Sequence, residues 1–153
     1  MRIILTVIFA AAMGYLEAAV VVYLRELYYP NGFHISQKVK FPFIKFGLVE
    51  ELKPFSKRIF FTELVRELFT IVMLLSFAWL VGSSLSSRIA YFLLAFGVWD
   101  IFYYIFLKII LNWPEKWNTT DVFFLLPVPW IGPVWLPILC SVIIIIISFR
   151  ILL

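Results

Sequence analysis

Four apolar stretches, each long enough to cross the hydrocarbon core of a bilayer, dominate this sequence. They cover residues 3–28, 59–81, 88–111 and 133–153 of a chain of 153 residues. A transmembrane helix needs about 20 mainly apolar residues, and only helices and closed barrels satisfy their backbone hydrogen bonds inside lipid. The sequence therefore predicts an all-α, polytopic integral membrane protein with four transmembrane helices in one domain.

Composition supports this prediction. Hydrophobic residues make up 64 % of the chain and charged residues 14 %, whereas soluble domains typically carry about 25 % charged residues. The first apolar run continues without a break to Tyr28, so we expect a retained span rather than a cleaved signal peptide. Cys140 is the single cysteine, which excludes a disulfide within the chain, and we expect it to be a small buried hydrophobic residue.

The connections between the spans differ in length and character. Residues 82–87 form a short polar linker, which predicts an antiparallel hairpin of the second and third spans. The first connection, residues 30–58, is amphipathic, because Ile44, Leu48 and Leu52 recur every fourth residue among basic residues. Part of it is predicted to lie on the membrane surface as a short helix that ends before Pro54.

The segment before the last span is interrupted by prolines. Four of them, Pro127, Pro129, Pro133 and Pro137, lie close together. Val122–Leu126 is interpreted as a short dipping segment or an interfacial turn, with Thr120 or Asp121 as a helix cap before it. Non-helical backbone at membrane depth must be shielded, so we expect this segment to pack on the helices, and Pro133 to lie in the first turn of the last helix.

Side B denotes the membrane side that holds residues 30–58 and the segment after residue 111, and side A the opposite side. Side B carries aromatic residues typical of an interfacial belt, namely Tyr28, Tyr29, Trp113, Trp117, Trp130 and Trp135. It also has seven basic residues against three on side A; the seven are Lys38, Lys40, Lys45, Lys53, Lys57, Arg58 and Lys116. The positive-inside rule therefore predicts that side B faces the cytoplasm.

Charged residues inside the spans are the candidate site. Glu17 and Asp100 lie near the middle of their spans, and Glu67 lies at a similar depth, a few residues from the middle of the second span towards side B. One ionised residue at mid-bilayer costs about 2.5–3.5 kcal/mol. We therefore expect them to face one another or a cavity. Helical spacing supports this, because Glu63 and Thr70 lie on the same face as Glu67, and Tyr104 lies one turn after Asp100. On the first span, Ala10, Gly14 and Ala18 form a ridge of small residues that favours close helix packing.

Two interpretations of the acidic residues remain open. In the structural one, Arg66 bridges Glu67 and Asp100, or Glu17, and fixes the register of the helices. In the functional one, the surplus of carboxylates over bases holds a proton, a metal ion or a cationic group. The predicted ion- or ligand-binding residues are Glu17, Glu63, Arg66, Glu67, Asp100 and Tyr104.

The residues that are absent narrow the cofactor chemistry. His34 is the single histidine and lies in a loop, so bis-histidine haem within one chain is excluded and the Glu-x-x-His pattern of di-iron sites is missing. If a metal binds, a hard divalent cation such as Mg²⁺, Ca²⁺ or Mn²⁺ suits the carboxylates Glu17, Glu67 and Asp100. No Walker A, GxGxxG or GxSxG motif occurs, and no catalytic residue is assigned.

Three functions are consistent with these features. The first is a protein that binds or transports a proton, a cation or a cationic ligand. The second is a non-catalytic subunit of a larger membrane complex, and the third is an enzyme acting on a lipid-like substrate, although a non-enzyme is favoured. The expected partners are membrane lipids and copies of the chain or other membrane subunits. Nucleic acid is not expected, because the excess of basic residues is small and lies beside membrane spans.

Overall fold

The computed structural model of the chain describes residues 1–35, 39, 43–47 and 49–153. Its elements follow one another as α1 (Arg2–Tyr28), β1 (Lys45–Phe46), α2 (Lys57–Val81), α3 (Leu85–Leu111), β2 (Thr120–Phe124), β3 (Trp130–Pro133) and α4 (Trp135–Leu152). All four helices are long and apolar enough to cross a membrane. The described residues also form a small sheet, which the sequence did not predict.

The helices begin and end within three residues of the predicted bounds. Ser56 caps α2 by accepting a hydrogen bond from the Ile59 backbone N–H, and Ser84 and Ser87 form a reciprocal capping box at the start of α3. The short polar linker between α2 and α3 thus starts a new helix immediately, and the two helices form the predicted antiparallel hairpin.

The central helix is α3, which packs against α1, α2 and α4. Glycines allow the closest approaches. A Cβ atom on Gly14 would lie 2.9 Å from the Cβ of Phe102, and one on Gly97 would lie 2.9 Å from the carbonyl oxygen of Ser141. Ala10, Gly14 and Ala18 are buried, so the ridge of small residues on α1 is confirmed as a packing surface against α3.

The small sheet has the strand order β1-β3-β2, and both pairings are antiparallel. The β2–β3 hairpin runs alongside α3, because Asp121 contacts Tyr104 while the Phe124 ring lies 6.1 Å from the Phe96 ring, two turns further along the helix. The segment Val122–Leu126 therefore dips along the helices and packs on them, as predicted, but its residues up to Phe124 form a strand.

Two predictions about this segment were wrong. Thr120 and Asp121 do not cap a helix, since both belong to β2. Pro133 does not start the last helix: it ends β3, and α4 begins at Trp135. The physical reason is the pairing of β2 with β3, in which Thr120 lies opposite Pro133; local proline patterns do not reveal such a non-local register.

The first connection also differs from the prediction. The described residues of this connection contain β1 and a single turn of 3-10 helix, Glu50–Leu52, which ends before Pro54, and no helix longer than this turn. Leu48, Lys38 and Lys40, which contributed to the amphipathic pattern, lie outside the described residues. Cys140 is exposed on α4 rather than buried, because the buried face of that helix carries Ser141 and Ser148 instead.

Candidate functional site

A cavity of about 110 Å³ lies between α1, α2, α3 and β2 and is called the inner cavity below. Its ionisable and hydroxyl-bearing lining residues are Glu17, Arg25, Tyr29, Glu63, Arg66, Glu67, Thr70, Asp100, Tyr103, Tyr104 and Asp121. All six residues that the sequence predicted as a binding site are therefore brought together around one cavity, which is large enough for several water molecules.

The cavity exists because α1 and α2 both pack against α3 but make few contacts with each other. On the side A half the two helices meet through the stacked rings of Phe9 and Phe77, 4.3 Å apart. Towards side B the space between them is bordered by β2 and by aromatic residues of the first connection, including Phe33 and Phe55.

Arg66 connects α2 with α1 across this space. Its Nε and Nη2 atoms donate to Oε2 of Glu63 at 2.9 and 2.8 Å, and its Nη1 atom donates to Oε2 of Glu17. The Arg66 and Glu17 side chains retain 23 % and 16 % of their accessible area, so this bridge lies at an opening of the cavity. The predicted bridge to Glu17 is confirmed, whereas the predicted bridge to Glu67 and Asp100 is wrong, because Glu17 and Glu63 occupy the guanidinium.

Glu67 binds the backbone instead. Both of its carboxylate oxygens accept the N–H of Leu125, at 2.8 and 3.1 Å, and the side chain is buried. Within the described part of the chain Glu67 forms no ion pair. It anchors the inward end of β2 to α2, since a buried backbone N–H beyond the end of a strand requires a partner.

Asp100 contacts the fourth helix. Its Oδ2 atom accepts a hydrogen bond from the Ser141 hydroxyl at 2.7 Å, next to the close approach of α3 and α4 at Gly97. The ion pairs of the described residues do not include Asp100. Tyr104, one turn away on the same helix, donates to Asp121 and not to Asp100.

A second ion pair, which the sequence did not predict, joins Arg25 and Asp121. The Nη2 atom of Arg25 lies 3.4 Å from Oδ1 of Asp121, and the Tyr104 hydroxyl donates to Oδ2 at 3.1 Å. Arg25 and Asp121 are only 8 % and 2 % exposed. Burial raises the pKa of the Asp121 carboxyl above its ordinary value, and the Arg25 charge offsets part of that rise.

One signal pointed to this pair: each residue is a single charge next to a long apolar run, Arg25 near the end of the first span and Asp121 directly before Val122. Their partnership could not be inferred, because 96 residues separate them. It depends on a strand that returns into the bundle.

Helix lengths place the site nearer to side B than the sequence suggested. Val134, the last residue before α4, packs in one cluster with Ala18 and Tyr104, so α1 and α3 extend past the start of α4. Asp100 meets α4 at Ser141, six residues and about 9 Å into that helix. Relative to α4, the shortest of the four helices, the acidic residues therefore lie in the side B half of the bundle and not at its centre.

The described His, Cys, Asp and Glu side chains include no group of three that is placed to hold a metal ion. Glu17, Glu67 and Asp100 line one cavity but bind Arg66, the Leu125 backbone and Ser141, respectively. A hard divalent cation at these carboxylates stays a prediction.

Comparison of the chain with protein-family models, with curated proteins and with solved structures found no match.

Proposed function

We propose that this chain is a multi-pass membrane protein that binds a proton or a small cation in the inner cavity and carries it towards the opposite side. One observation carries the proposal: among the described residues, five carboxylates and two guanidinium groups line this cavity. If all were ionised, the lining would carry a formal charge of −3. Arg66 pairs with Glu17 and Glu63, and Arg25 pairs with Asp121. Glu67 and Asp100 are therefore the lining acids that have no cationic partner within the described part of the chain.

Four helices of sufficient length and apolarity support the membrane location. Large apolar side chains such as Phe69, Trp79 and Ile109 are also exposed on these helices, as expected for surfaces that contact lipid. The excess of Lys and Arg on side B supports a cytoplasmic side B. In that orientation the inner cavity receives its ligand from the cytoplasmic half of the membrane.

The physical basis of binding is the cost of unpaired negative charge. Carboxylates in a site of low effective dielectric gain stability from a proton or from a nearby positive charge. Trp99 and Tyr103 also line the cavity, and their rings suit an organic cation through cation–π attraction. Carboxylates with aromatic walls thus favour a cation or a proton over an anion.

The test uses Asp100→Asn, which keeps the shape of the side chain and removes its charge. The melting temperature of both proteins is measured in detergent from pH 5 to 9, with and without Na⁺, Mg²⁺ or methylammonium. We expect at least one cation, or a fall in pH, to stabilise the wild type, and Asp100→Asn to lose most of that response. The matched control Ser141→Ala removes the hydrogen bond to Asp100 but keeps the charge, so it should retain the response.

If both proteins respond identically to pH and to every cation, the acidic residues have a structural role. The chain is then better explained as a non-catalytic subunit of a membrane complex.

A second candidate, an enzyme or binding protein for a lipid-like molecule, is favoured by one further feature. The bridge of Arg66 and Glu17 spans a gap between α1 and α2, and a gap of that kind admits an amphipathic molecule from the bilayer. Wild type and Asp100→Asn are incubated in nanodiscs of mixed phospholipids, and the lipids are analysed by mass spectrometry. A lipid altered by the wild type alone would favour the enzyme; unaltered lipids would leave the cation-binding proposal.

A further inference from the structure

A second cavity, called the vestibule, lies at the side B ends of α1 and α3 and has a volume of about 260 Å³. Its walls include Glu26, His34, Asn112, Trp113 and Glu115. Glu26, His34 and Glu115 are exposed, so the vestibule is open to solvent. Two carboxylates at its wall attract cations by the electrostatic focusing that charged clefts provide.

The vestibule and the inner cavity share a wall, because Arg25, Tyr29 and Phe33 line both. These three residues are called the septum. The Arg25 guanidinium carbon lies 3.8 Å from the centre of the Trp113 ring and 4.7 Å from that of Phe33. Its Nη2 atom pairs with Asp121, which lines the inner cavity. The Arg25 side chain therefore contacts two aromatic rings in the wall that the two cavities share.

The closed position leaves Arg25 incompletely bonded. Its Nη1 atom is buried and has no hydrogen-bond partner among the described residues, which costs free energy. The contact with Asp121 is long for a charge-assisted hydrogen bond, at 3.4 Å. The vestibule offers the Glu26 and Glu115 carboxylates as other partners for the same guanidinium. Acidic side chains thus line the cavities on both sides of the septum: Asp121 in the inner cavity, and Glu26 and Glu115 in the vestibule.

We propose that Arg25 is the gate between the vestibule and the inner cavity: when it pairs with Asp121 the route from side B is closed, and when it turns towards the vestibule carboxylates the route is open. A cation or proton bound at Asp121 competes with Arg25 for that carboxylate and so favours the open position. The inference rests on the proposed function, since a gate requires that the inner cavity receives a ligand, but its test measures access rather than binding.

The experiment measures the reactivity of single thiols in a Cys140→Ser background. Thr70→Cys places a thiol in the wall of the inner cavity, and His34→Cys places one in the vestibule. The protein is held in lipid nanodiscs, so that both membrane faces contact solvent. It is treated with a neutral hydroxyethyl methanethiosulfonate or with the cationic trimethylammonium-ethyl reagent, and modification is followed by mass spectrometry.

With Arg25 present, we expect the thiol at position 34 to react much faster than the thiol at position 70. Arg25→Ala should raise the rate at position 70 by about tenfold or more, since minor states are typically populated at about 0.1–10 %, and should leave position 34 unchanged. The matched control is Arg88→Ala. Arg88 also lies 3.8 Å from a tryptophan ring, that of Trp79, but at the side A end, so neither rate should change.

If Arg25→Ala does not fold, Phe33→Ala is a second variant that tests the gate. It removes one ring beside the guanidinium and leaves the ion pair with Asp121 in place, and we expect a smaller rise in rate at position 70. The gate is refuted if folded Arg25→Ala and Phe33→Ala leave the rate at position 70 unchanged, or if that thiol already reacts as fast as the one at position 34 in the parent protein.

The two reagents separate this inference from the proposed function. If Arg25→Ala raises the rate at which the neutral reagent modifies the thiol at position 70, the gate is supported whether or not the cavity prefers cations. A higher rate of the cationic reagent at position 70 than of the neutral one supports cation binding whether or not Arg25 controls access. Loss of the charge preference with retention of the Arg25 effect would overturn the proposed function alone.

Discussion

The side A and side B halves of the helix bundle are held together differently: side A by apolar packing and side B by polar contacts around a cavity. On side A, Ala10, Leu74 and Leu94 are fully buried in one apolar cluster, and the rings of Phe9 and Phe77 stack across α1 and α2. On side B the same helices diverge around a cavity, and seven acid and guanidinium groups of the described residues line its walls. A strand, two ion pairs and a backbone hydrogen bond to Glu67 connect the helices there.

This difference shows how a polar site is maintained inside an apolar bundle. Lipid provides no hydrophobic drive for helix association, so close packing and polar contacts must supply the stability. The side A half supplies it by packing small residues against α3. The side B half can then keep a cavity open, because its helices are already held together at the other end.

The largest expected effect comes from Gly14, where α1 approaches α3 most closely. Gly14→Leu should destabilise the protein by about 3 kcal/mol or more, because even a Cβ atom would lie 2.9 Å from the carbonyl oxygen of Trp99. The free energy of unfolding is measured in micelles by titration with sodium dodecyl sulfate. Ala12→Leu, at an exposed position of the same helix, is the control and should have little effect. Equal values for the two variants would contradict the packing role of the ridge.

A matched pair of leucines compares the two halves directly. Leu74 is 0 % exposed on side A, whereas Leu24 lines the inner cavity. Leu74→Ala creates a new void and should cost about 3 kcal/mol, while Leu24→Ala enlarges an existing space and should cost about 1 kcal/mol. The same titration measures both. If Leu24→Ala costs as much as Leu74→Ala, the side B half is as tightly packed as side A and the contrast fails.

Arg66 tests the polar connection between α1 and α2. Arg66→Ala leaves Glu17 and Glu63 without their partner, and we expect a loss of about 2 kcal/mol, below the roughly 3–5 kcal/mol of a fully buried pair because Arg66 is partly exposed. Adding Glu17→Gln should recover part of this loss. Adding Glu67→Gln should recover less, since Glu67 bonds to Leu125 rather than to Arg66. Greater recovery with Glu67→Gln would contradict the observed pairing.

The smallest effect concerns the titration of Asp121. Its pKa is raised in the folded protein by burial, with Arg25 lowering it in part. Protonation of Asp121 therefore favours the folded protein. This stabilisation is fully present below the unfolded pKa of about 3.9 and is lost as the pH rises through the folded pKa. Asp121→Asn should lack this component when unfolding is compared between pH 4 and 8. Arg25→Gln should enlarge it, because the offsetting charge is gone; a smaller pH dependence in Arg25→Gln would contradict this assignment.

The sequence predicted the parts of the protein that depend on local pattern. Helix bounds follow from apolar runs and capping serines, and the faces of Glu63, Glu67 and Thr70 follow from helical spacing. The inward orientation of Glu17 and Asp100 follows from the cost of exposing charge to lipid. Each of these features is decided by residues within a few turns of one another.

The partners of the charged residues could not be predicted from local sequence patterns. Arg66 was correctly paired with Glu17 but not with Glu67, because an unforeseen strand brought the Leu125 N–H to that carboxylate. The pairing of Arg25 with Asp121 was not predicted for the same reason. The β2–β3 hairpin places Asp121 beside Arg25, and the register of that hairpin does not follow from any sequence periodicity.

The four long apolar helices and the inward direction of Glu17, Glu67 and Asp100 could be predicted from the sequence alone, since both follow from the solvation of apolar and charged groups. The pairing of each acid with its base, the position of the cavity relative to α4, and the place of Arg25 in the lining of two cavities depend on the tertiary structure. The physical reason is that hydrogen bonds and ion pairs act over a few ångströms. Their partners are therefore selected by how the helices and the hairpin pack.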